Sequence, residues 1–187
     1  MDLYRIDGPW TGKLAIFAHP RGGEWLLDEI LALKEEGLDV IVSLLTKEED
    51  EEINLLEEQE VCEGLGLQFI QFPINDVSVP ASSAATLELI NRLDEFLSKG
   101  RNVGIHCRAG VGRSGMIAAI LLMMRGLSPE KTLAEVSNAR GVIVPQTDEQ
   151  REWLIEFAKE FAPARSKSAL RNPESAIRRS GRYRSRF

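Results

Sequence analysis

The run His106-Cys107-Arg108-Ala109-Gly110-Val111-Gly112-Arg113-Ser114 sets a cysteine and an arginine with five residues between them, two of which are glycines. An apolar stretch short enough for a strand precedes it and a longer one follows, so it reads as a loop joining a strand to a helix. In such a loop Arg108, Ala109, Gly110, Val111, Gly112 and Arg113 can turn successive backbone N–H groups toward one centre, with the glycines admitting close approach and unusual φ values. The helix that starts near Gly112 adds the positive end of its dipole. This is a site for a phosphate dianion. Cysteines at helix N-termini beside cations titrate below free thiols, which makes Cys107 the candidate nucleophile at phosphorus. Arg113 offers a planar fork for two phosphoryl oxygens. Ser114 can donate its hydroxyl proton to the departing thiolate, and His106 is read as orienting the loop behind the cysteine.

A thiolate displaces a seryl or tyrosyl oxygen slowly unless a general acid protonates that oxygen. The segment Phe72-Pro73-Ile74-Asn75-Asp76-Val77-Ser78-Val79-Pro80 offers Asp76 in a loop bracketed by prolines at the end of a predicted strand. Taken alone, an Asp there reads first as an Asx-turn residue. Further on, Gln146-Thr147-Asp148-Glu149-Gln150 contains the capping-box pair Thr147 and Gln150, which would start a helix.

Together these runs resemble the cysteine-dependent protein tyrosine phosphatase superfamily, whose signature is His-Cys, five residues, Arg, then Ser or Thr. The dual-specificity branch is the nearer one, with its acid about thirty residues before the nucleophile, as Asp76 precedes Cys107 here. The kinase-associated phosphatases are the most similar. The resemblance spans Leu14 to Phe161 and implies a cysteinyl-phosphate intermediate with no cofactor and no metal. It also implies that Gln146 positions the hydrolytic water and that Gln150 supports it. The acid loop lacks the Trp-Pro-Asp triplet of receptor-like tyrosine phosphatases, which favours a shallower pocket open to phosphotyrosine and phosphoserine/threonine of protein substrates. Two alternatives stand beside this reading. One is a phosphatase for a phosphoinositide or other small phosphate ester. Enzymes of that kind carry lysines at the variable loop positions, whereas only Arg108 is basic here and Val111 is apolar. The other is a non-catalytic phosphate-binding module, which should lack the nucleophile or the acid.

The elements that must hold these residues follow from periodicity. Strands are predicted at Leu14 to Ala18, Val40 to Leu44, Leu67 to Phe72 and Val103 to His106. Helices are predicted at Glu24 to Glu36, Lys47 to Glu63, Ser83 to Ser98, Gly112 to Met124, Pro129 to Ala139 and Asp148 to Phe161. Alternation of this kind is an α/β fold, a central mostly parallel sheet flanked by helices. Thr46-Lys47-Glu48-Glu49 is a capping box, and Ser128-Pro129 is an N-cap followed by a first-turn proline.

The 187 residues carry 23 basic and 29 acidic side chains, but the two are unevenly spread. Residues 1–162, the expected phosphatase domain, hold 15 basic and 28 acidic side chains, a net charge of −13. Residues 163–187 hold 8 basic and 1 acidic, a net charge of +7, and read as a basic, disordered tail that could contact an acidic partner or an anionic surface. The acidic domain argues against sequence-specific nucleic-acid binding. No run is long and apolar enough to span a membrane, the N-terminal residues lack the pattern of a secretory signal, and two cysteines cannot make a disulfide framework. The expectation is a cytoplasmic monomer. The acids from Glu48 to Glu63 read as a solvated helix face, with a dock for a basic partner or the chain's own tail as the alternative; Cys62 reads as a packed apolar residue, with a disulfide that guards Cys107 as the alternative; and His19 fits equally a border of the pocket and a loop that caps the next helix.

Overall fold

The computed structural model describes residues 2–161, and the basic segment 163–187 lies outside them. Five strands form one sheet: β1 (Tyr4–Ile6), β2 (Leu14–Ala18), β3 (Val40–Ser43), β4 (Gln68–Gln71) and β5 (Val103–Cys107), in the order β1-β2-β5-β3-β4. The last four are parallel, and β1 joins β2 antiparallel at one edge. β5 is thus central, and Cys107 pairs with Ala18 at the carboxyl end of the parallel strands. Open α/β sheets bind ligands at that end.

Among the described residues seven α-helices flank the sheet: α1 (Leu26–Glu35), α2 (Lys47–Glu52), α3 (Glu58–Gly64), α4 (Ser83–Ser98), α5 (Arg113–Met124), α6 (Pro129–Arg140) and α7 (Asp148–Phe161). Successive strand residues face opposite layers. Ile16, Val42, Ile105 and Cys107 pack with residues of α4 to α7. Phe17, Ile41 and Cys62 pack with α1 and α3 on the other face. α5 is buried from Arg113 to Met123, so it is apolar all round rather than striped, as a helix enclosed by neighbours must be. It packs on α4, α6, α7, β2 and β5. The helix that begins at the loop is therefore anchored within the core.

Four expectations are corrected. β1 was not expected, because three residues of mixed burial carry no readable period. The helix predicted over Lys47 to Glu63 is two, α2 and α3, separated by a turn in which Asn54 takes φ +57°. Asn tolerates that left-handed conformation better than most residues, and the turn lets Leu55 bury its side chain. The helix predicted from Glu24 opens as a 3₁₀ turn, Gly23–Trp25, before α1. The acidic run is not wholly a solvated face, because Glu49 and Glu58 are buried. The remaining boundaries agree to within one or two residues.

Candidate active site

The loop from Arg108 to Gly112 leaves β5 and enters α5. Gly110 takes φ +66°, and a Cβ there would lie 2.5 Å from the Phe17 backbone, so only glycine fits. Gly112 has an ordinary φ of −71°. Its reason is space: a Cβ would come within 3.1 Å of Gln150 Oε1 and 3.3 Å of Gln146 Oε1. The loop's carbonyls are held on its outer side. Arg140 donates from Nε to Gly110 O at 2.8 Å and from Nη2 to Ala109 O at 3.1 Å, and the His19 N–H reaches Arg108 O at 3.4 Å. A peptide whose carbonyl is tied outward presents its N–H inward, as an anion cradle requires.

Cys107 is buried, and its Sγ lies 3.5 Å from Ser114 Oγ. Arg113, 1% exposed, donates from Nη1 to Glu49 Oε2 at 2.6 Å and to Ile74 O at 2.8 Å, and from Nη2 to Glu49 Oε1 at 2.8 Å. Nη2 also lies 3.0 Å from Asp76 Oδ1. Burial alone would lower the Arg113 pKa, but Glu49, Cys107 and Asp76 raise it above the ordinary value, so the guanidinium stays charged. Burial pushes Glu49 up, and the Arg113 fork and the Thr46 N–H outweigh it, holding that carboxyl below the usual range.

The loop from Phe72 to Pro80 therefore reaches the nucleophile's loop from the side. Its tip is exposed, with Asp76 57% accessible, and the next residue, Val77, sits at φ +57°. A β-branched residue is strained there. Gln150 ties the 72–80 loop to the segment that precedes α7: its Nε2 donates to Ser78 O at 3.0 Å, and its Oε1 accepts from the Gln146 N–H at 3.2 Å. The capping box expected at Thr147 is consequently only half made. Thr147 Oγ1 accepts from the Gln150 N–H, while the Gln150 amide is diverted to the loops.

Residues 17–127 match the protein-family model described as "Polymorphic toxin system, DSP-PTPase phosphatase". The chain belongs to that DSP-PTPase phosphatase family. It is 33% identical over 111 residues to cyclin-dependent kinase inhibitor 3 of Homo sapiens, covering 58% of this chain and 50% of that protein. Among solved structures, Tk-PTP in its active form is 33% identical with a TM-score of 0.66, over 79% of this chain and 92% of that one. Kinase associated phosphatase with serine at its catalytic-site cysteine gives a TM-score of 0.78 at 23% identity, over 88% and 97%, a likeness of fold. The chain spans about half the length of the curated relatives it matches.

Sequence reasoning missed three side chains around the site. Glu49 was legible only as the acid of the Thr46 capping box. The box is complete, with Glu49 Oε2 accepting from the Thr46 N–H at 3.0 Å, yet the same carboxylate holds Arg113. Arg140, whose guanidinium also lies 4.1 Å from the centre of the Tyr4 ring, gave no local signal. Glu58 is 2% exposed and its Oε1 lies 3.0 Å from His106 Nε2, although the pair is not aligned for a hydrogen bond. His106 itself projects to the face of the sheet opposite Cys107, against Phe17 with ring centroids 5.3 Å apart. Any influence it has on the nucleophile passes through the β5 backbone.

His19 borders a shallow cleft with Tyr4, Arg21 and Arg140 beside the loop. Cys62 is buried in the layer with α1 and α3, across the sheet from Cys107, and burial pushes its thiol pKa far up. Both cysteines are free. Among the described residues, no cluster of His, Cys, Asp and Glu is arranged to hold a metal ion, and no helix is long and apolar enough to cross a membrane.

Proposed function

We propose that the chain is a phosphomonoester hydrolase of dual specificity, acting on phosphoproteins through a cysteinyl-phosphate. The Cys107 thiolate attacks phosphorus, the bond from phosphorus to the leaving oxygen breaks, and the Asp76 carboxyl gives that oxygen its proton. Water held by Gln146 then attacks phosphorus and passes a proton to the Asp76 carboxylate. The sulfur–phosphorus bond breaks, and Ser114 donates a hydrogen bond to the returning thiolate. Arg113 and the N–H groups from Arg108 to Gly112 stabilise charge on the equatorial oxygens, and fixed donors of this kind supply the largest share of such catalysis. Gln150 and His106 are positioning residues.

The observation that carries this reading is the contact of Asp76 Oδ1 with Arg113 at 3.0 Å, beside a buried Cys107. It sets a carboxylate from one loop against the guanidinium of another, as the proposed acid requires. Asp76 is exposed at the tip of its loop, and that loop lacks a Trp-Pro-Asp triplet, which supports dual specificity over strict phosphotyrosine selectivity. The same proposal takes residues 1–162 as the catalytic domain of a cytoplasmic monomer and 163–187 as a tail for an acidic partner or anionic surface. Hydrolysis of an aryl phosphate at mildly acidic pH by wild type, Cys107→Ser and Asp76→Asn tests the mechanism. Activity is expected in the wild type, none in Cys107→Ser, and a loss in Asp76→Asn that grows with the basicity of the leaving group. An inactive wild type or an active Cys107→Ser overturns it.

A further inference from the structure

Arg108 follows the nucleophile directly, and its side chain stands at the rim of the loop, 38% exposed. Its Nη1 and Nη2 each donate to the Glu52 carboxylate at 2.8 Å. Glu52 closes α2, and Glu49, three residues earlier on that helix, holds Arg113. One short helix thus lends a carboxylate to each arginine of the phosphate loop, a buried one to the inner arginine and an exposed one to the outer. Glu52, Glu49 and Asp76 all act electrostatically on Arg108.

We propose that Glu52 is a specificity-determining residue: by occupying the Arg108 fork and keeping a carboxylate on the rim, it disfavours esters that carry a second phosphate beside the scissile one. This rests on the phosphomonoesterase reading above. A lone phosphate needs only the loop N–H groups and Arg113. A second phosphate reaching the rim meets a guanidinium suited to it, but two of its donors are engaged and the carboxylate that engages them repels the newcomer. Exposed ion pairs are weak, so the device grades substrates by several-fold and does not exclude them outright.

The test is the ratio of kcat/KM for soluble inositol 4,5-bisphosphate, whose two phosphates are neighbours on the ring, to that for 4-nitrophenyl phosphate, in wild type, Glu52→Gln and Glu52→Lys. The full chain is used throughout. The same bisphosphate headgroup on a lipid in neutral vesicles forms a third arm. The ratio is expected to rise roughly three- to fivefold in Glu52→Gln and further in Glu52→Lys. It should fall back toward wild type in high salt and in Glu52→Gln combined with Arg108→Ala. A ratio that does not move, or a rise that survives Arg108→Ala, overturns the proposal. A rise confined to vesicles does so too, because it belongs to membrane adsorption and not to Arg108. If the wild type hydrolyses neither ester, the phosphomonoesterase reading has failed. The same ratio is then read from binding of the two esters to Cys107→Ser, where an unchanged preference overturns the role of Glu52 separately.

Discussion

Glu49→Gln isolates the charge that holds Arg113. Glutamine keeps the volume of the side chain and can still serve the Thr46 capping box, so the substitution removes the carboxylate's charge and little else. Arg113 is 1% exposed and makes two charge-assisted hydrogen bonds to Glu49, of 2.6 and 2.8 Å. Removing one member of such a buried pair costs about 3–5 kcal/mol. Here Asp76 and the carbonyls of Ile74 and Leu44 remain as partners, which brings the expected loss to about 2–3 kcal/mol. At about 2–4 °C per kcal/mol for a chain of this size, Tm should drop by roughly 4–12 °C. The guanidinium, no longer fixed in its plane, should cost roughly ten- to a hundredfold in kcat/KM, about 1.4–2.7 kcal/mol of transition-state stabilisation. Scanning calorimetry and steady-state hydrolysis of an aryl phosphate measure both, with the exposed neighbour Glu48→Gln as the control, expected within about 0.5 kcal/mol of wild type. A Glu49→Gln protein that melts with the control and turns over within twofold of wild type would refute the claim that this carboxylate positions Arg113.

Three further outcomes follow from the geometry. Arg140→Ala frees the carbonyls of Ala109 and Gly110, and kcat/KM for an aryl phosphate should fall about tenfold. Arg140→Lys should fail to rescue it, because an ammonium cannot reproduce the two-point fork; recovery by Lys would show that only charge matters. Val77→Gly relieves a left-handed β-branched residue, and urea unfolding should show a gain of about 1 kcal/mol, whereas a loss would contradict the strain. Asp50 titrates at about 6, raised from 3.8 by burial and by Glu58. A carboxyl raised on folding holds a proton that the unfolded chain has shed, so this group's contribution to stability falls as pH rises from about 4 to 6. Asp50→Asn should therefore gain on the wild type by about 1 kcal/mol across that window, after allowance for solvent screening. A difference that is constant in urea melts at pH 4.5 and 7.5 would contradict it.

What the sequence disclosed and what it hid divide along separation in the chain. Cys107, Arg113 and Ser114 lie within one turn of loop and helix, and the strands around them carry their own apolar runs, so both the loop and the parallel sheet were readable. Asp76 was readable because two prolines and a preceding strand mark its loop. The partners of Arg113 and of the loop carbonyls were not. Glu49 is 64 residues from Arg113, and Arg140 is 30 from Gly110, and nothing local distinguishes either from its exposed neighbours. Glu49 and Glu58 sat in a run of acids whose average character is solvated, and averaging concealed the two that turn inward. The break at Asn54 decides which acids those are, since it reorients α3 so that Glu58 meets His106. The two glutamines show the reverse: a capping-box pattern was present, and a longer-range demand from Ser78 and Gln146 took over half of it.

The central claim is that phosphate passes through Cys107. Wild-type protein quenched in acid during turnover of a ³²P-labelled aryl phosphate, then digested and mapped by mass spectrometry, tests it most directly. A phosphoryl label is expected on the peptide bearing Cys107, absent in Cys107→Ser and accumulating when Gln146→Ala slows the second step. Turnover with no label on Cys107, or a label on another residue, would contradict it.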